Sequence, residues 1–383
     1  MTHTMSTLPS IARVKQLKGK RVLVRAELNV PLTHGKVSDP YRIIQTIPTI
    51  TFLKRAGAKV IVIAHIGRDP QGTLKPVARY MNRKTAIGFV PELFGPRVDK
   101  IIADMKNGSA VLLENLRGTQ EEEHNDAVFA KRLASYADIY VDDAFGAAHR
   151  AHASIVGIPK YLPAYAGISF ADEYANLSKV LDPRHPFAFI LGGAKFETKM
   201  PLLKKYVDIA DAIYVGGALG NTLLKAQGYE VGRSVAEDVR GAKALAEHSR
   251  IHLPYDVLVE KRDKTTTVRL VGEIMASDCI IDIGPETAAY WAEELQSAKE
   301  ILMNGPMGFY ERGYSDGTNV LLRGIAKSPA RSTIGGGDTV ALARSLHMEK
   351  RFTFVSTAGG AMLDFLANDT LPGVDAIVKN ERR

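Results

Sequence analysis

Short, nearly continuous apolar runs rich in β-branched residues recur along the chain, each separated from the next by a longer stretch with helical spacing. That alternation is the tightest constraint on what the chain can fold into. The runs are Arg21–Val24, Val60–Ala64, Val111–Leu113, Ile139–Val141, Phe187–Leu191, Ile213–Val215, Val257–Val259, Cys279–Ile283, Ile301–Met303 and Phe352–Val355. Runs this short and apolar suit strands buried on both faces of a parallel sheet. The segments between them, for instance Asp126–Tyr136, Glu237–His248 and Thr287–Ala298, have helix-forming composition. Together they predict an α/β chain built of βαβ units. No internal repeat, low-complexity tract or heptad run interrupts the pattern.

At 383 residues, and roughly 150 per domain, the chain has room for two or three domains. Ser169–Leu181 reads as one helix, stopped by Asp182-Pro183-Arg184-His185-Pro186, and a fresh strand starts at Phe187. This predicts an N-terminal domain to about residue 168, a connecting helix, and a second domain.

Composition narrows the class. With 45% hydrophobic and 24% charged residues the chain is neither disordered, collagen-like nor a small disulfide-stapled scaffold. Lys and Arg number 50 against 42 Asp and Glu, a formal charge of +8, which suits anionic partners: phosphorylated metabolites, nucleic acid or membrane surfaces. The single cysteine, Cys279, excludes an internal disulfide, and a reducing, cytoplasmic location is expected. The N-terminus lacks the apolar core of a signal peptide, and stretches such as Val60–Ala64 are too short to span a bilayer. A soluble protein is expected.

In open parallel sheets, ligands bind outside the carboxyl ends of the strands. In the first half those ends are charged: Arg25, Glu27 and Asn29; His65-Ile66-Gly67-Arg68; Glu114-Asn115-Leu116-Arg117; Asp142-Asp143, then His149-Arg150. Arg42 opens a helix after Pro40-Tyr41. Guanidinium donors gathered in one cleft recognise phosphate and carboxylate. A solvated or locally paired charge explains any one of these residues, but not a series that follows strand after strand.

In the second half the strand ends are glycine-rich: Gly192-Gly193-Ala194-Lys195, Gly216-Gly217, Gly284-Pro285, Asn304-Gly305-Pro306, Gly335-Gly336-Gly337-Asp338-Thr339 and Gly359-Gly360. Missing side chains let a ligand approach backbone, and the following helix offers free N–H groups to phosphates. Tight turns alone explain one or two such glycines, not six turns. Asp338 by itself is a helix cap, yet beside three glycines and Thr339 it suits a Mg²⁺–phosphate role. Lys195 and Lys199, ordinarily a solvated face, follow a Gly-Gly turn from which they could reach phosphoryl oxygens.

Several chemistries lack their signatures. The sequence has no G-x-x-x-x-G-K-[ST], no G-x-G-x-x-G after a strand, no G-x-S-x-G and no H-E-x-x-H. RNA-recognition aromatics are missing and the basic residues are dispersed, so no nucleic-acid partner is expected, and no membrane partner.

Taken in order, the strand-end motifs resemble the phosphoglycerate kinase family over some 350 residues. The residues that carry the resemblance are Arg25-Ala26-Glu27-Leu28-Asn29-Val30-Pro31, His65-Ile66-Gly67-Arg68, Glu114-Asn115-Leu116-Arg117, Asp143 to His152, Leu191 to Lys195, Asn304 to Gly308, Gly335 to Thr339 and Leu371-Pro372-Gly373. The resemblance implies two doubly wound parallel-sheet, Rossmann-like lobes joined by a helix and hinge, in a monomer that closes on its substrates. Residues 1–168 would hold 3-phosphoglycerate, 169–184 the connecting helix and hinge, and 185–369 the nucleotide. The tail, 370–383, would return to the first lobe. It assigns the triose to Asn29, Arg42, His65, Arg68, Arg117 and Arg150, with Glu27 beside it. It assigns ATP or ADP to Lys195, Lys199, Asn304, Glu311, Gly336, Gly337, Asp338 and Thr339, and Mg²⁺ to Asp338. Arg42 and Lys199 are the implied catalytic pair for reversible phosphoryl transfer between ATP and the carboxylate of 3-phosphoglycerate, giving 1,3-bisphosphoglycerate. The chain departs from the family pattern at Glu27, usually Asp, at Gly118, usually aromatic, at Ala218, commonly Gly, and at Gly220-Asn221 and Met362. Those departures keep open a binding protein that has lost turnover. A dinucleotide oxidoreductase is disfavoured by the missing fingerprint.

Overall fold

Neighbouring residues of the first strands feed two different cores. A computed structural model of the chain describes residues 8–194 and 196–381. Val22, Val24, Val60, Val62 and Leu112 pack in one cluster, while Leu23, Ile61, Ile63, Val111 and Tyr140 pack in another. Both faces of the sheet are therefore covered, which is why these strands carry no polar alternation. Its order is Gly88–Phe89, Ala110–Leu112, Lys59–Ile63, Arg21–Ala26, Ile139–Asp143, Ala164–Ala166. All pairings are parallel. The Arg21 strand lies between the Lys59 and Ile139 strands, so the winding reverses beside it and opens a crevice at the carboxyl ends.

A second parallel sheet has the order Ile251–His252, Ala212–Val215, Phe187–Leu191, Glu300–Asn304, Arg331–Gly335, Phe354–Val355. Its winding reverses between the Phe187 and Glu300 strands. The Arg331 strand is not among the apolar runs because Arg331, Ser332 and Thr333 open it. The aromatic rings of Phe187, Phe189 and Tyr206 pack on one another beside this sheet.

Two expected parallel strands belong elsewhere. Asp256–Glu260 pairs antiparallel with both Thr266–Leu270 and Cys279–Ile283 in a separate three-stranded sheet. The link from Glu260 to Thr266 is too short for a crossover helix and closes as a hairpin. Asp263 Oδ1 accepts from the Thr265 N–H and hydroxyl, and Lys264 takes φ +70°. The Glu237–His248 helix shrinks to Ala242–Ala246, because Gly241 immediately before it is left-handed, with φ +86°.

The chain divides into two compact units, one running to Ala175 and resuming at Asn368, the other Asn176–Ala367. The division falls inside the helix Ile168–Leu181. Asp143 Oδ1 starts that helix by accepting the N–H groups of Ser169 and Phe170 at 3.0 and 3.2 Å. The C-terminal helix Pro372–Glu381 packs against Ala164–Ala166. Asn380 anchors it, accepting from Ala164 N–H and donating to the carbonyls of Pro159 and Leu162. Among the described residues no helix is long and apolar enough to cross a membrane.

Candidate active site

At the carboxyl ends of the first sheet, loop is tied to loop. Asn115 Oδ1 accepts the N–H groups of Ile66 and Arg117, and its Nδ2 donates to the carbonyls of Ile66 and Gly72. The Gly67 N–H donates to Asn29 Oδ1 at 2.9 Å, and the Gly67 carbonyl accepts from Arg117 Nη1 at 2.7 Å. Arg42 Nη1 reaches Glu27 Oε1 at 3.3 Å and the Asn29 carbonyl at 3.1 Å, with the side chain about one-third exposed. The extra methylene of Glu27 thus serves to meet Arg42. Arg150 Nε donates to His149 at 3.2 Å, and Arg68 is exposed in the His65 loop. Glu27, Asn29, Arg42, His65, Arg117 and Arg150 come together in this crevice.

Beneath them lies a network that sequence reasoning did not find. Arg25 is fully buried, donating to His65 Nδ1 at 2.7 Å, Ser154 Oγ at 3.0 Å and the Ala26 carbonyl at 2.7 Å. His65 is buried too, and burial, then Arg25, Arg117, Arg150 and His152, hold its pKa well below the histidine range. Glu122 reads as the middle of a solvated Glu121-Glu122-Glu123 run, yet it is fully buried. Only the tertiary contact with Ser154 distinguishes it.

His152 is pushed down to about 4, by burial first and then by Arg150, Arg25 and Arg117. An unfolded histidine takes its proton near pH 6.5, roughly the ordinary value. Between those values the unfolded state binds more protons, so stability falls as pH drops from about 6.5 to about 4. Urea unfolding should show a smaller loss across that window for His152→Gln than for the unmodified chain.

In the second unit a cavity of about 160 Å³ lies at the carboxyl ends of its strands, with Gly193, Ala218, Met307, Phe309, Glu311 and Asp338 in its wall. Lys199, on the helix Phe196–Tyr206, is buried and donates from Nζ to the Gly192 carbonyl. Lys195 lies outside the described residues. Asn304 is buried beside Met362, 3.7 Å from its sulfur, and its carboxamide lies against Gly336. Gly336 takes φ +90° immediately before the helix Gly337–Ser345. Asp338 is exposed in that helix's first turn, and Thr339 Oγ1 is buried without a hydrogen-bond partner among the described residues.

The glycines divide into two sets. A Cβ on Gly337 or Gly360 would meet nothing within 4 Å, which leaves these helix N-termini open. A Cβ on Gly192 would lie 2.2 Å from the Pro306 carbonyl oxygen, and one on Gly335 2.0 Å from Met362 Sδ. Gly192 is required by the backbone packed across from it, and Gly335 lies against the buried Met362 side chain. Gly305 combines φ +91° with a would-be Cβ 2.2 Å from the Gly192 carbonyl oxygen. Gly305→Ala should therefore cost about 3 kcal/mol or more in unfolding free energy, read from denaturant midpoints.

Residues 11–369 match the family model described as phosphoglycerate kinase. The chain belongs to the phosphoglycerate kinase family. It is 41% identical over 382 residues to the phosphoglycerate kinase of Dictyoglomus turgidum, covering 94% of this chain and 96% of that protein. It is also 41% identical over 384 residues to that of Moorella thermoacetica, covering 95% and 98%. The solved structure of phosphoglycerate kinase from Coxiella burnetii superposes with a TM-score of 0.84 at 35% identity, over 97% of this chain and 99% of that one. That from Pyrococcus horikoshii OT3 gives 0.87 at 29% identity, over 98% and 100%. Membership makes the chain a glycolytic phosphotransferase. Each of its two parallel sheets presents a crevice where the winding reverses, one lined by guanidinium groups, the other by glycine turns and an open helix N-terminus.

Proposed function

We propose that the chain reversibly transfers a phosphoryl group between ATP and the carboxylate of 3-phosphoglycerate, giving ADP and 1,3-bisphosphoglycerate. The observation that carries this reading is the first crevice, where Arg117 and Arg150 act on a histidine whose pKa is held well below the usual range, and Arg42 is fixed beside Glu27 and Asn29. Such a cleft suits a small substrate with a phosphate at one end and a carboxylate at the other. The acceptor carboxylate is ionised at neutral pH, titrating near or below about 3.5, so no general base is required. What remains is positioning and neutralisation of charge in a loose, in-line transfer.

In this reading Arg42 neutralises charge at the acceptor, while Asn29, His65, Arg68, Arg117 and Arg150 orient the triose. The nucleotide occupies the cavity walled by Ala218, Met307, Phe309 and Glu311, its phosphates facing Lys199 and the N–H groups ahead of Thr339. Lys195 would join them. No cluster of three metal-ligating side chains occurs among the described residues. Asp338 in the cavity wall, next in sequence to Thr339, whose buried hydroxyl has no partner among the described residues, fits a Mg²⁺ ion carried in on phosphate oxygens rather than an all-protein cage. Bound there, the ion would screen the charge of the phosphates. The chain is read as acting in the cytoplasm as a monomer.

The test is acyl-phosphate formation from 3-phosphoglycerate and MgATP, trapped as the hydroxamate with hydroxylamine. The expected signal requires both substrates and Mg²⁺. No signal at high enzyme, with both ligands still binding, would replace this reading with that of a binding protein.

A further inference from the structure

The buried network under the first crevice has a direction. Both carboxylate oxygens of Glu122 accept from Ser154, Oε2 from the backbone N–H at 2.9 Å and Oε1 from the hydroxyl at 2.5 Å; burial raises its pKa, while Arg25 and these hydrogen bonds favour the ionised form. With its one proton committed to Glu122, Ser154 Oγ turns a lone pair to Arg25 Nε at 3.0 Å. Arg25 carries no acceptor, so the 2.7 Å contact with His65 requires Nδ1 to be the acceptor and the ring proton to sit on Nε2. The segment is held in place by the Ala153 N–H on the Glu122 carbonyl at 2.8 Å and by the Tyr140 hydroxyl on the Ser154 carbonyl at 2.6 Å.

We infer that Glu122 is a positioning residue for the triose site, acting through Ser154 and Arg25 to fix His65 as a neutral ring that donates from Nε2. This rests on the proposed function only for the identity of the anion. An imidazolium would attract any anion at any angle, whereas a fixed N–H donor selects one oxygen in one place. Glu122 also supplies the negative charge that lets a guanidinium be buried outright beneath a crevice already crowded with cations. Groups acting on His65 from every side are Arg25, Arg117, Arg150 and His152, with Glu122 joined to it through Ser154.

The experiment is ¹⁵N NMR of histidine-labelled full-length protein between pH 6 and 8, with the His65 signals assigned by their loss in His65→Gln, alongside steady-state kinetics. In the unmodified chain His65 is expected to show an unprotonated Nδ1 and a protonated Nε2 throughout. In Glu122→Gln the pattern should shift toward a mixture of tautomers, and KM for 3-phosphoglycerate should rise by about tenfold or more, with KM for MgATP unchanged. Ser154→Ala removes only the relay hydroxyl and carries the same expectation if Glu122→Gln does not fold. A locked His65 and an unaltered triose KM in the folded variants would overturn the inference. A lower melting temperature with the tautomer unmoved would do so as well, since that is what a merely structural carboxylate gives. Should the unmodified chain lack turnover yet lose its His65 pattern in both variants, the inference stands and the proposed function fails.

Discussion

Arg42→Ala is expected to lower kcat by about a thousandfold while leaving the affinity for ADP within twofold. Arg42 sits in the first unit, held by Glu27 and the Asn29 carbonyl through a single nitrogen, so the other face of its guanidinium is available to an anion. Arg42 is not among the residues that wall the cavity of the second unit. Steady-state kinetics with both substrates varied, together with calorimetric titration of ADP, check this. Equal losses in turnover and ADP affinity would refute the assigned role. Arg42→Lys keeps the charge but not the planar fork, and should recover only part of the rate.

Lys199→Ala should show the complementary pattern, with kcat down by a factor of about a hundred to a thousand and KM for 3-phosphoglycerate near that of the unmodified enzyme. Its ammonium is buried among glycine turns, donating to the Gly192 carbonyl, and a Cβ on Gly193 would lie 2.6 Å from it. An ammonium in so confined a place has little freedom to wander, so its charge is held in position. Loss of the hydroxamate signal without loss of triose binding is the result that supports the assignment. An unchanged kcat would remove Lys199 from the chemistry. Truncation also leaves the Gly192 carbonyl short of a donor, so a modest drop in stability, about 1 kcal/mol, should accompany it.

These expectations draw on residues that differ in how far sequence revealed them. Arg42, His65 and Arg117 are legible because each follows a buried strand or opens a helix, and strand ends in parallel sheets point toward one crevice. Glu122 is not legible at all: a carboxylate flanked by two others looks solvated, and its burial depends on Ser154, 32 positions later. Arg25 stands in the open as a strand-end arginine, but its role differs from that of its neighbours, since it is fully buried and faces His65. The glycine turns look alike as text. Their division into open helix N-termini at Gly337 and Gly360, and tightly packed turns at Gly192, Gly305 and Gly335, depends on what lies across from each one: backbone for Gly192 and Gly305, the Met362 side chain for Gly335.

What the sequence determined by itself was the class of structure and which residues stand at the strand ends. Both follow from local rules: runs apolar on every residue must be buried on two faces, and βαβ winding puts strand ends on one side. What tertiary structure decided was which strands left the parallel array and which charges were buried. Asp256–Glu260 joined an antiparallel sheet because a hairpin link was too short for a crossover. Glu122, Ser154, Arg25 and His65 became one hydrogen-bonded line because distant segments closed over them, excluding the water that would otherwise have satisfied each group separately.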